Sequence, residues 1–347
     1  MRVLQCQLDR MKLVESDTIG ATRLISKVTG TPRVDELRPI TLLNCDYRIL
    51  SKIMVKRLRP VLPSVITFGQ LCTVGRKNIL FGVQNILSSI FLTNQRRGKS
   101  CLLSLDFFKA YDRVLLSFLI AVMKKMNFSD IFCSWIAMLH AGAKTKFILK
   151  GGLSKAIMLS FSIRQGDPLA MLLYIIYIEP LLILIEKKTS GLILPNLKNV
   201  EAFCDYLNVI TTKETDLLVV DEAVQKFEKV SGAILSRNRK CQIVGFGKWK
   251  DREVWPLQYI KAVKKIKVFR VIFMNSYRDM LSKNWSVRFQ KFEAAIISWN
   301  GRILESIYQR IEIMKTFAMS RLYYLASILP LPQGISKKID QVIGKFI

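Results

Sequence analysis

The stretch AFCDYLNVI, residues 202–210, sets one acid, Asp205, between two short β-forming runs, Ala202–Cys204 and Leu207–Ile210. That pattern predicts a strand–turn–strand hairpin with a carboxylate at its tip. The residue beside it is Tyr206, which adds no second carboxylate. A phenol with a pKa near 10 is neutral at physiological pH and a poor ligand for magnesium.

Working outward, SCLLSLDFF (residues 100–108) reads as a buried strand that runs to a second acid, Asp106. The two acids lie about a hundred residues apart, so they meet only if their strands are neighbours in one sheet. Carboxylates brought together in that way repel unless a divalent cation sits between them, which is the arrangement of two-metal phosphoryl chemistry. Spacing alone leaves the alternative of two unrelated surface acids open.

The flanking segments alternate between helical and strand-like patterns. Ile49, Leu50, Ile53, Met54 and Leu58 recur at helical spacing, with Lys52, Lys56, Arg57 and Arg59 on the other positions. A second helix fits Val83, Ile86, Leu87, Ile90 and Phe91 and ends in the basic turn NQRRGK. Helices are predicted over Val114–Met126 and over roughly 130–140, with the lone histidine, His140, on the polar edge of the latter. KTKFILKGGLSKAIMLSFSI reads as a hairpin turning at Gly151–Gly152. Asp167 is placed to cap a helix whose first residue is Pro168. A helix through Leu217, Val220, Val224 and Phe227 stops at Gly232. From about residue 265 the pattern is helical beyond its first residues, which puts a boundary near 250–265. The first 30 residues show weak periodicity and receive no assignment.

Composition narrows the partners. The chain has 347 residues, half of them hydrophobic, enough for two or three subdomains with cores. Lys and Arg number 54 against 26 for Asp and Glu, a formal net charge of +28. Such an excess points to a polyanion, with nucleic acid first. No basic amphipathic helix singles out a membrane surface. The most apolar run, residues 169–188, is interrupted by Glu179 and Pro180 and reads as a buried core helix. No secretory leader opens the sequence. Seven cysteines without a C-x-x-C pair give zinc little support and read as buried free thiols.

LDFFKAYDRV at Asp106 and SIRQGDPLA at 162–170, followed by FCD in a hairpin, resemble the reverse transcriptases of LINE-type retrotransposons, which lack long terminal repeats. So do LRPITLLNCDYRILSKIMVKRL (37–58), GQLCTVGRKNILFGV (69–83), EKVSGAILSRNRK (228–240) and FAMSRLYYLASILPLP (317–332). The resemblance covers residues 20–335. It implies an α+β right-hand polymerase with fingers over 31–100, an antiparallel-sheet palm over 101–255 and a helical, truncated thumb-like region over 256–347, with 1–30 unassigned. It implies RNA-directed DNA synthesis with two magnesium ions held by Asp106 and Asp205, on an RNA template with a DNA primer or target DNA and deoxynucleoside triphosphates. Location would be the nucleus or a cytoplasmic ribonucleoprotein, with no membrane.

The same resemblance gives residue roles. Arg38, Phe107, Tyr111, Gln165, Gly166 and Lys240 take nucleotide-binding positions. Arg38 offers a planar fork to triphosphate oxygens, Tyr111 crowds a 2′-hydroxyl, and Gly166 lets backbone approach a ligand. Asp112 is read as structural, paired with Arg113 or a basic neighbour. The departure is Tyr206, where the family has a second aspartate. That loss predicts weak metal binding and impaired turnover, or a catalytically dead nucleic-acid-binding remnant. A basic helical RNA-binding protein outside the family is the third reading. With no endonuclease-like region before residue 30 and no cysteine–histidine knuckle after 335, the sequence is expected to be a fragment of a longer open reading frame.

Overall fold

The computed structural model describes residues 2–72, 74–75, 77–190, 199–237, 240–299, 301–302 and 306–347. Thr73, Arg76, Asn238 and Arg239, within two of the motifs above, lie outside the described residues. The chain forms two compact units: residues 1–78 with 104–241, and residues 79–103 with 242–347.

The first unit contains a sheet centred on the strand Ile19–Ser26, which the sequence did not announce. It pairs antiparallel with Leu37–Leu42 and parallel with Lys144–Leu149. Thr22 explains part of this register: its hydroxyl meets those of Thr41 at 2.8 Å and Thr145 at 2.5 Å, so one buried side chain bonds to both neighbouring strands. The hairpin after Lys144 turns at Lys150–Gly151, one residue earlier than expected, because Gly152 already pairs with Leu149. Gly151 (φ +102) supplies the conformation the turn needs.

Helix Cys45–Leu58 buries Tyr47, Leu50, Ser51, Met54 and Leu58 and leaves Lys52, Lys56 and Arg57 exposed. Ile49 faces solvent, so the buried stripe uses Tyr47 and Ser51 instead. Their hydroxyls are held by Asp167, at 2.7 and 2.5 Å. Asp167 also accepts Leu169 N–H at 2.9 Å. The following helix therefore starts at Ala170, not at Pro168. It runs unbroken to Lys188 with Pro180 inside. Proline interrupts one backbone hydrogen bond, but this helix is buried on nearly every side and packing holds it. Among the described residues, no helix is long and apolar enough to cross a membrane.

His140 is buried, not on a polar edge. Its Nδ1 stands 3.0 Å from the Ile136 carbonyl and its Nε2 faces Asp167 at 3.7 Å. Burial outweighs the opposing pull of Asp167 and keeps its pKa below the usual imidazole range.

In the second unit, helix Ile79–Gln95 and the turn at Arg97–Gly98 lead into strand Lys99–Asp106, whose neighbour there is Gln242–Gly247. Gly247 (φ +60) has no room for a side chain, since a Cβ would meet Gly98 O at 2.3 Å. A further hairpin, Lys265–Val268 with Val271–Met274, precedes helix Tyr277–Ile297. Asn284 on this helix bonds both the N–H and the carbonyl of Ile272, and Trp285 donates to Pro330 O at 2.8 Å. Helical segments Ile307–Ile313, Met314–Met319, Ser320–Ala326 and Gln333–Phe346 follow, in keeping with the helical pattern of the sequence.

Candidate active site

The hairpin forms as read. Val200–Phe203 pairs with Tyr206–Thr211, Phe203 opposite Tyr206, leaving Cys204 and Asp205 as a two-residue turn. Cys204 takes a left-handed backbone (φ +56), which non-glycine residues seldom adopt outside turns or strained sites. In the sheet, strand Tyr206–Thr211 has Val200–Phe203 on one side and the strand ending at Asp106 on the other. The apolar run 101–105, nearly all buried, drives that strand into the core and leaves Asp106 at its end.

A third segment completes the site. Helix Glu214–Ser231 stops at Gly232 (φ +84), after which the chain runs beside Asp106–Phe108. Ser236 N–H bonds Asp106 O, Phe108 N–H bonds Ile234 O, and Phe107 bridges to Leu235. Glu228 secures this return: it takes both Arg237 guanidinium nitrogens at 2.7 Å and Leu235 N–H at 2.6 Å. The path delivers Lys240, whose Nζ stands 2.8 Å from Asp106 Oδ2.

Asp106, Phe107, Asp205, Tyr206 and Lys240 line a cleft of about 260 Å³ with Lys27, Arg38, Lys109, Tyr111, Asp112 and Gln165. The sequence-predicted Asp106, Asp205, Tyr206, Arg38, Phe107, Tyr111, Gln165 and Lys240 all border it. Lys27 and Lys109 were missed. Lys27 follows the unassigned first strand, so no motif marked it. Gly166 is not among the residues lining the cleft and packs on Thr41. At φ +120, a Cβ there would come within 2.2 Å of Thr41 O, and Gln165 O accepts Thr41 N–H at 2.7 Å. Its bare backbone is used by the protein itself. Arg113 donates to Gly232 O at 3.0 Å and not to Asp112, which has Gln165 Nε2 at 3.5 Å and the basic neighbours Lys109 and Lys27 nearby.

The electrostatics separate the two acids. Burial lifts Asp205 above the ordinary carboxylate range, and Asp106 adds to that, against Lys240 and Arg38. Burial is the largest single influence on Lys240 and lowers its pKa, but the bond to Asp106 and the pull of Asp106 and Asp205 together outweigh it, so the pKa is raised. Lys27 is lowered by burial and by the nearby cations Lys240 and Arg38. Tyr206, half exposed, is raised by burial and by both acids, so it stays a neutral phenol. Tyr111 lies against Tyr174 with ring centroids 4.8 Å apart, and burial together with the Cys204 thiol keeps it protonated.

Among the described residues, no group of three or more His, Cys, Asp or Glu could hold a metal ion. The donor set at the cleft still suits a hard divalent cation. Magnesium is commonly held by one or two carboxylates, with water and substrate phosphate completing the shell. Asp106 and Asp205 supply that minimum.

The family model described as reverse transcriptase (RNA-dependent DNA polymerase) matches residues 25–289. The Transposon TX1 uncharacterized 149 kDa protein of Xenopus laevis is 26% identical over 355 residues, an alignment covering 100% of this chain and 27% of that protein. The chain thus spans about a quarter of that relative's length. Apo telomerase from Candida tropicalis superimposes with a TM-score of 0.52 at 11% identity, covering 99% of this chain and 64% of that one. Telomerase of the same organism in complex with a TWJ fragment of telomeric RNA gives 0.52 at 12% identity, covering 91% and 55%. At such identities the likeness is one of fold.

Proposed function

This chain belongs to the reverse transcriptase (RNA-dependent DNA polymerase) family, as a domain of the kind found in retrotransposons without long terminal repeats, and we propose that it extends a DNA primer on an RNA template through a weakened catalytic centre. Its fold is the α+β right-hand polymerase fold. The observation that carries the proposal is the convergence on one cleft of Asp106, Asp205, Arg38, Tyr111, Gln165 and Lys240, drawn from five separate stretches of sequence.

Reverse transcriptases generally use divalent metal ions, and Asp106 and Asp205 would hold two magnesium ions here. Bound metal would supply activation of the attacking oxygen and stabilisation of the leaving one. The chain's own groups do the rest. Arg38, Lys27 and Lys240 present cations to the triphosphate of a deoxynucleotide. Lys240 is exposed enough to leave Asp106 and follow a phosphate. Tyr111, fixed by Tyr174, sets a ring edge against the 2′ position of the sugar. Tyr206 gives the cleft a neutral side chain where the family supplies an anion, so metal occupancy and rate fall. Fingers over 31–100, palm over 101–255 and a thumb-like region over 256–347 are the matching hand assignments. RNA template, DNA primer and target DNA are the partners that the net charge of +28 suits, at work in the nucleus or a cytoplasmic ribonucleoprotein without a membrane.

The test is primer extension on poly(rA)–oligo(dT) with the natural chain beside Tyr206→Asp. Extension by the reverted chain supports the reading. Hybrid binding with no extension by either chain identifies a nucleic-acid-binding remnant of the same fold.

A further inference from the structure

Cys72 and Cys204 are 132 residues apart in sequence, yet their sulfurs stand 2.8 Å apart. A disulfide bond is about 2.05 Å long, so closing the pair needs a shift of only ~0.8 Å. The approach is built by the backbone. Gly69 O accepts Ala202 N–H at 2.9 Å and Leu71 N–H bonds Ala202 O at 2.8 Å, so residues 69–71 lie along the first strand of the hairpin. Gly69 permits this contact, since a Cβ would meet Val200 O at 2.5 Å. The buried Gln70 then clamps both cysteines. Its Oε1 accepts the N–H of Cys72 at 3.2 Å and of Cys204 at 3.3 Å. One amide oxygen thus fixes both backbones and presents both thiols to each other.

We propose that Cys72 and Cys204 are a modification site, a dithiol that a hydroperoxide converts to a reversible disulfide, locking the turn that carries Asp205. Only the consequence at Asp205 rests on the polymerase reading; the chemistry does not. One sulfur attacks the peroxide oxygen, the O–O bond breaks, and the thiol proton passes to the departing oxygen, which leaves as water from hydrogen peroxide or as an alcohol from an alkyl hydroperoxide, with a sulfenic acid formed. The second sulfur attacks that sulfur, the S–O bond breaks, and the hydroxide departs as water with the remaining thiol proton. Two thiols lose two electrons and one hydroperoxide gains them. Both cysteines are buried, so peroxide reaches them slowly.

The experiment treats the whole chain, carrying Cys6→Ser and Cys45→Ser to remove the two exposed thiols, with hydrogen peroxide. Non-reducing digestion and mass spectrometry should recover one linked 72–204 peptide pair, two hydrogens lighter than its parts. Cys101, Cys133 and Cys241 should remain thiols. The melting temperature should rise by several degrees, because a long loop is closed, and hydrogen exchange at residues 204–206 should slow; dithiothreitol should reverse both. Cys72→Ala and Cys204→Ala should each abolish the rise. Recovery of both cysteines as free thiols, or as sulfinic acids without a cross-link, overturns the proposal. None of these readouts requires primer extension, so they fail or succeed apart from the polymerase reading.

Discussion

The two acids of the cleft sit in different company. Asp106 ends a buried strand, its carbonyl is held by Ser236, and its carboxylate meets the Lys240 ammonium at 2.8 Å. Asp205 stands on a two-residue turn beside a left-handed cysteine, and burial and Asp106 both push its pKa up. One charge is compensated by the protein and the other leans on whatever binds. On the proposed reading a carboxylate of the second kind would be the one a bound cation stabilises, and the neutral side chain of Tyr206 should be felt there first.

Removing the compensated acid should have the largest effect. In a Tyr206→Asp chain, Asp106→Asn should lower primer extension by at least about 1,000-fold, and it leaves Lys240 without its anion. A loss of only a few-fold would show that Asp106 is structural. The next effect is the reversion itself. Tyr206→Asp should raise extension by about 100-fold or more at millimolar magnesium, with hybrid affinity little changed. Equal rates for the natural and reverted chains would mean that Asp106 and Asp205 suffice.

The same contrast recurs in the core. Asp167 has three donors from Tyr47, Ser51 and Leu169, while His140 is buried with its Nε2 unbonded. A folded-state pKa below the unfolded value near 6.5 means that the unfolded chain takes up the proton first. Stability from this group is present above that value and is lost as pH falls below it. Each unit of depression corresponds to about 1.4 kcal/mol. Buried carboxyls such as Asp17 and Glu179, raised by burial, act in the opposite sense. The comparison is therefore melting curves of the natural chain against His140→Gln from pH 7.5 to 5. The natural chain should lose more stability; parallel curves would refute the role of His140.

The smallest effect belongs to solvated charges. Arg59, exposed at the end of its helix, should contribute to hybrid affinity through counterion release alone. Arg59→Ala should reduce the slope of log affinity against log salt by about 1, without dependence on sequence. Arg57 is a stricter case, because its guanidinium also lies over Trp135 at 5.3 Å.

What was legible in the sequence is what short-range physics controls. The apolar run before Asp106, the β-forming flanks of Asp205 and the stop at Gly232 each announce themselves within a few residues. Strand Ile19–Ser26 did not, because its pairing with Lys144–Leu149 is long-range and its outer residues face solvent. Lys27 was hidden with it. Pro180 misled because burial on nearly every side sustains a helix that propensity alone would end. His140 and the Cys72–Cys204 pair depend on contacts between distant segments, which no local spacing reveals. In the cleft itself the motif residues were legible, but the ion pair of Lys240 with Asp106 and the use of Gly166 against Thr41 were not.

The central claim is that Asp106 and Asp205 form one cation site weakened by Tyr206. Manganese titration followed by electron paramagnetic resonance tests it without any need for catalysis. Asp106→Asn and Asp205→Asn should each weaken binding by at least about tenfold, and Tyr206→Asp should tighten it. Affinity that is the same in all four chains would contradict the account.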